Sequence, residues 1–132
     1  MYNFGMKSAR EIYYDFAGKL VGTKLMKKWV CETLTKIPDE IVDFVTENCW
    51  FFGSMDDAWA FTFTGNDLKN QHLIFLSDDL LNQHPRQIMY SIAHEIGHVI
   101  LKHRNSTLVK QTKQEIRKQE KEADKFARQF NF

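Results

Sequence analysis

His94-Glu95-Ile96-Gly97-His98, set inside the run from Pro85 to His103, decides how this chain is read. The pattern is H-E-x-x-H on a segment with helical periodicity. At about 100° per residue, His94 and His98 lie about 40° apart on one face, so two imidazoles can grip one ion. Glu95 lies about 100° round from His94, at the rim of the same site. This is the arrangement of a zinc bound by two histidines, with a glutamate beside it as general base. In a chain of this composition the pattern arises by chance in roughly one sequence per hundred, so its surroundings have to carry the reading further.

The surroundings predict an active-site helix over 85–103. His84-Pro85 places proline at the first helical position, where its missing N–H costs nothing. Ile88, Met89, Ile92, Ile96, Val99 and Ile100 form a broad apolar stripe away from His94 and His98, while Tyr90 and Leu101 lie on the histidine side. Lys102, His103 and Arg104 put positive charge at the negative end of the helix dipole. His103 falls about 180° from His94 on a continued helix, so it is read as a helix-end cation outside the site.

Hydrolytic zinc usually takes three protein ligands and a water. One known spacing puts a third histidine six residues after the second, but that position is Arg104, and the glycine expected three residues earlier is Leu101. The other solution is a glutamate from a later helix, here predicted over 113–130. Ile116, Ala123, Ala127 and Phe130 mark its inward stripe. Glu120 falls within about 40° of the stripe's centre, whereas Glu115 and Glu122 are about 100–120° away. A carboxylate on an inward face is costly unless it is paired or bound to metal. Glu120 is therefore the expected third metal ligand, against a plain ion pair with a lysine or arginine. Asp124, one turn on, suits an outer role, accepting a hydrogen bond from the free nitrogen of a ligand histidine.

His94-Glu95-x-x-His98 followed by Glu120-x-x-Ala123-Asp124 resembles the gluzincin zinc metallopeptidases, whose second motif is a glutamate with an aspartate four residues on. The tail from Glu120 to Ala127 also resembles the ImmA/IrrE-like branch, and the small size is similar to the single-domain minigluzincins. The resemblance covers roughly residues 38 to 130. It implies a minimal zincin-like fold, with a small twisted sheet over the central helix and zinc at the base of a cleft. It also implies that the strand around Trp59 to Phe63 forms the upper rim and takes an extended peptide by strand addition. The chain departs from larger gluzincins in one respect: these place an oxyanion-stabilising histidine or tyrosine after the third ligand, and this sequence has neither beyond His103. Tyr90, His72, His84 or an arginine would have to serve, with Tyr90 the candidate carried forward. Loss of such a donor costs about a hundredfold or more, so weak or narrow activity is expected.

The remaining chain reads as scaffold. Residues 6 to 34 carry apolar positions at helical spacing from Ala9 to Val30, which predicts a long N-terminal helix, weakened at Gly18 and Gly22, with Gly22-Thr23 as the place where it can break. Pro38-Asp39-Glu40 opens a short helix with Ile41, Phe44 and Val45 inward. Cys49 to Phe52, the alternating Trp59, Phe61 and Phe63, and His72 to Leu76 predict three strands, with turns at Asp56-Asp57 and Gly65-Asn66-Asp67. Asp78 and Asp79 open a helical turn ending near Gln83. The fold class is thus α+β: a three-stranded sheet against a long N-terminal helix, the active-site helix and a C-terminal glutamate helix. One domain, 1–132, accommodates this, divided into a helical N-terminal region over 1–47, the sheet 48–76, the active-site helix 85–103 and the glutamate helix 113–130.

Composition narrows the partners. Eighteen basic against seventeen acidic residues leave a formal charge of +1, so no global field steers the chain to nucleic acid or acidic membranes. The Lys- and Arg-rich run from Lys110 to Lys121 alternates with glutamates and reads as a solvated helix face rather than a nucleic-acid site. No apolar run approaches a membrane span, and Met1 to Arg10 has no signal-peptide core. Cys31 and Cys49 fit no C-x-x-C pattern and read as buried free thiols in a reducing cytoplasm. The expected function is a zinc-dependent metalloendopeptidase acting on peptide or protein through a zinc-bound water, with Glu95 as base and Zn2+ as cofactor. The alternative is a metal-binding regulatory module with little catalysis. The tail Phe126 to Phe132 raises one further expectation, that the same or a neighbouring chain's tail fills a shallow cleft and keeps the protein latent, against simple packing of Phe130 and Phe132 on the core.

Overall fold

A computed structural model describes residues 7–54, 61–64, 71–103 and 111–132. The turns expected at 56–57 and 65–70, Trp59 and most of the 105–112 link lie outside the described residues. Among the described residues, helices and strands follow in the order α1 (Ala9–Asp15), β1 (Leu20–Val21), α2 (Lys24–Leu34), α3 (Asp39–Asn48), β2 (Cys49–Ser54), β3 (Phe61–Thr64), β4 (His72–Ser77), α4 (Asp78–Leu81), α5 (Pro85–Ile100) and α6 (Lys113–Arg128). The fold is α+β, with a small sheet packed against helices.

The long N-terminal helix is the main correction. It is interrupted after Asp15, and the break supplies a fourth strand. Ala17 and Gly18 take left-handed backbone, with φ 50° and 87°, a conformation glycine adopts without steric cost. The chain then runs extended, and Lys19 accepts a hydrogen bond at its carbonyl from the Phe51 N–H at 2.9 Å. Thr23 restarts the helix by accepting from the Met26 N–H at 3.2 Å. Gly22 lets the join sit close to β2: a Cβ there would lie 2.6 Å from Met26 Cε, which would have to swing away, and 3.2 Å from the Gly53 nitrogen.

The sheet order is β1-β2-β4-β3, with β1, β2 and β4 parallel and β3 antiparallel to β4. Alternation along the strands separates two faces. Cys49, Phe51, Ile74 and Leu76 are buried against the helices. On the other face Trp50, Phe52 and Phe75 form an aromatic row, with centroids 6.1 and 5.3 Å apart. Both cysteines are free and buried, and burial pushes their thiols up to about 11 at Cys31 and about 12 at Cys49. They are inert packing residues under ordinary conditions.

The sheet and α2 form the bed on which α5 lies. Ile88, Ile92, Ala93, Ile96 and Val99 are at most 2 % exposed and join one core that runs from Ile12 to Phe130. Ser77 ends β4 and caps α4 by accepting from the Leu80 N–H. The turn at α4 then delivers His84 and Pro85 to the start of α5, so the inner strand β4 and the motif helix are joined by a short connection. No helix among the described residues is long and apolar enough to cross a membrane.

Candidate metal centre

With one side of α5 buried against sheet and α2, His94 and His98 are left on the side that faces α6. The two helices pack closely because Gly97 has no side chain. A Cβ on Gly97 would sit 2.9 Å from Phe126 Cδ1 and 3.2 Å from Phe126 Cβ. Gly97 thus sets the distance at which α6 carboxylates can reach the α5 imidazoles. Gly97→Ala would gain about 1 kcal/mol of helix propensity against about 1–3 kcal/mol of overpacking. The expected result is net destabilisation with weakened metal binding, measured by urea unfolding and by a metal titration.

α6 meets this surface with Ala123, Phe126 and Ala127 buried. Ile116, expected on the inward stripe, is 45 % exposed. Glu120 is likewise only half-buried, its side chain 53 % exposed, so it stands at the mouth of the site and not within the core. Its carboxylate nonetheless turns to the histidines: Oε2 is 2.8 Å from His94 Nε2 and Oε1 is 3.3 Å from His98 Nε2. The two Nε2 atoms are 3.2 Å apart. One ligand atom from each of His94, His98 and Glu120 lies within 4.8 Å of the others, a group that could hold a metal ion. In a tetrahedral zinc site with bonds of about 2.0–2.1 Å, ligand atoms are about 3.3 Å apart, close to these separations. Neither Glu115 nor Glu122 belongs to this group; Glu122 instead accepts from His103.

Contacts behind the histidines orient their rings. Asp124 Oδ1 is 2.9 Å from His94 Nδ1 and also accepts from the Tyr90 hydroxyl at 2.6 Å. A carboxylate only accepts, so His94 donates from Nδ1 to Asp124, which would leave its Nε2 lone pair for an ion held between it and Glu120. The Tyr90 pKa is raised by burial and by its bond to Asp124, partly offset by Arg128, so the phenol stays protonated. Burial lowers the His98 pKa to about 4, with His94 and His103 acting the same way and Glu120 against it. A neutral imidazole at physiological pH is the form that binds metal.

His103 differs from its expected role as an exposed helix-end cation. It is 6 % exposed, with Nδ1 2.8 Å from His98 Nδ1 and Nε2 3.1 Å from Glu122 Oε2. The helix does not continue to residue 103, so the projected angle of about 180° does not apply. Of the signals in the sequence, only the histidine itself pointed to it.

A cleft of about 730 Å³ opens beside the centre, between the α4 turn, α5 and α6. Gln87, Tyr90, His94 and Glu95 of α5, Asp124 of α6, and Asp79 and Gln83 from the α4 turn line it. Glu95 is partly buried in this wall. Three residues that could hold a metal, with a cleft beside them, have the arrangement of the open type of metal site, where one position is left for water or substrate. His72, on β4, is not among the cleft-lining residues, and its Nδ1 is buried without a partner among the described residues.

Residues 86–132 match the sequence profile of the Peptidase U49 family. The matched segment spans nearly all of α5 and the whole of α6, the two helices that supply the site, and it supports a peptidase function. No curated protein and no solved structure matches the chain significantly.

Proposed function

We propose that this chain is a zinc-dependent endopeptidase of the gluzincin type, with His94, His98 and Glu120 as ligands and Glu95 as general base. The observation that carries the reading is the convergence of His94 Nε2, His98 Nε2 and the Glu120 carboxylate beside a cleft whose wall contains Glu95. Two imidazoles and one carboxylate are a donor set that zinc accepts. Bound there, zinc would polarise a scissile carbonyl and lower the pKa of a water.

The protein residues supply the rest. Glu95 accepts the proton of the attacking water and passes it to the departing amine, which must leave protonated. Asp124 holds the His94 ring and fixes its tautomer. Tyr90 is the nearest phenol for an oxyanion, but its proton is engaged by Asp124 at 2.6 Å. To serve there it would have to exchange that bond, which fits weak or narrow activity. The strand β3 is the edge of the sheet and packs beside α5, a place where an extended peptide can add as a further strand. A peptide or unfolded protein segment is therefore the proposed substrate, in a cytoplasmic setting consistent with two buried free thiols.

A regulatory module that binds metal without useful catalysis is the competing reading, and the engaged Tyr90 favours it. Latency through the C-terminal tail has less support. Phe130 is 8 % exposed within the core and Phe132 packs against it, so the tail of the same chain serves packing.

The test is metal analysis of the purified protein beside cleavage of unfolded casein, with and without a chelator. About one equivalent of zinc and chelator-sensitive cleavage are expected. Zinc without cleavage would leave the regulatory module, and neither would sink the metal-centre reading.

A further inference from the structure

His103 and Glu122 have no role in the mechanism above, yet they build a second contact onto the same centre. We propose that His103, held by Glu122, is a positioning residue that fixes His98 in its metal-binding tautomer, with Nδ1 protonated and the Nε2 lone pair directed at the ion. The inference rests on the metal-centre reading and adds to it the residues that orient the second histidine.

The protons decide the direction of each bond. His103 Nδ1 and His98 Nδ1 are 2.8 Å apart, so one must donate and the other accept. Glu122 decides which. Its carboxylate accepts only, so His103 Nε2, 3.1 Å away, carries a proton and donates it. A neutral imidazole protonated at Nε2 has its lone pair at Nδ1. With His103 carrying that single proton, His98 donates from Nδ1, and its Nε2 lone pair lies on the side of His94 Nε2, at 3.2 Å, and Glu120, at 3.3 Å, where an ion would be shared. Asp124 does the same for His94 directly. One helix, α6, thus addresses both histidines: Asp124 to the first, and Glu122 through His103 to the second.

The backbone is shaped to make this contact. The helix α5 stops at Ile100, and Lys102 takes left-handed backbone with φ 56°. Glycine is the usual occupant of such a position, because a Cβ is crowded there. The reversal is closed by Lys102 N–H donating to the Val99 carbonyl at 3.1 Å and His103 N–H donating to the His98 carbonyl at 2.9 Å. It folds residue 103 back beside residue 98, with ring centroids 5.1 Å apart. Burial to 6 % exposure then forces the imidazole's polar atoms to find partners, and His98 and Glu122 are those partners.

The experiment compares the full-length wild type with His103→Phe, His103→Gln and Glu122→Leu. Zinc affinity is measured by competition with a chromophoric chelator. The His98 tautomer is read from nitrogen-15 NMR of the metal-free protein, which needs no activity. In the wild type, His98 should be the Nδ1–H form. His103→Phe fills the space without an acceptor, and should weaken zinc roughly ten- to a hundredfold and release His98 into mixed tautomers. His103→Gln offers an amide oxygen to His98 and an amide nitrogen to Glu122, and should recover most of the affinity, although Phe is the better match in ring shape. Unchanged affinity and tautomer in His103→Phe would overturn the proposal, as would an Nε2–H form in the wild type. If His103→Phe does not fold, Glu122→Leu decides at a partly exposed position: mixed His98 tautomers support the proposal and a fixed Nδ1–H form overturns it. A wild type that binds no zinc would sink the metal-centre reading, while the tautomer would still judge the His103–Glu122 contact separately.

Discussion

Glu95→Ala is expected to bind zinc with unchanged stoichiometry, to unfold at an unchanged temperature within a few degrees, and to lose peptide hydrolysis by about 10²–10⁴-fold. That range is what a positioned general base contributes, and it corresponds to about 3–5 kcal/mol of barrier. Glu95 lies in the cleft wall, adjacent in sequence to His94, and is not one of the three converging ligand residues. A group placed beside the reacting water but off the metal removes a proton-transfer step when it is truncated, and leaves the ligands in place. The variant must therefore separate binding from turnover. Metal analysis, thermal unfolding and peptide cleavage on the same preparation check it. If the variant lost zinc or failed to fold, Glu95 would belong to the scaffold and the general-base role would fall.

The second large effect concerns the ligands. His94→Ala and His98→Ala should lose zinc, and Glu120→Ala should weaken it severely, while Glu122→Ala should still take up one equivalent. Each of the first three removes an atom from a group whose mutual separations are 2.8, 3.2 and 3.3 Å, leaving two ligands where a hydrolytic zinc needs three. Binding and folding are linked. Zinc at a thousandfold excess over its dissociation constant stabilises the native state by about 4 kcal/mol, and chelation should remove that increment from the wild type. In the three ligand variants, chelator should change urea unfolding little. A Glu120→Ala protein that kept zinc while Glu122→Ala lost it would assign the third ligand to the wrong carboxylate.

Much of the site was legible because helical periodicity is a local property. The spacing of His94 and His98 puts them on one face whatever else the chain does, and the burial of Ile88, Ile92, Ile96 and Val99 follows the same period. Glu120 was separable from Glu115 and Glu122 by angle alone, even though one premise differed: Ile116 is half exposed and Glu120 sits at the mouth of the site. What the periodicity did not carry is where helices stop. The apolar spacing from Ala9 to Val30 runs straight through a turn and a two-residue strand, because both flanking helices face the same core. The projected angle of His103 likewise failed once Lys102 left the helical conformation.

The sequence by itself determined the chemistry on offer: two imidazoles at i and i+4, a glutamate beside the first, a later carboxylate on the facing side of a second helix, and a mixed α and β scaffold of one core. These follow from residue type and local period. Tertiary structure decided everything that depends on two segments meeting. Gly97 mattered because Phe126 packs against it and sets the approach of α6 to α5. Gly22 mattered because β1 and β2 run side by side there. The partner of each motif histidine's second nitrogen, Asp124 for His94 and His103 for His98, was decided by how close α6 and the turn after α5 come to the motif helix. Hydrogen-bond partners within about 3 Å are fixed by packing, which a one-dimensional pattern specifies only through the fold it produces.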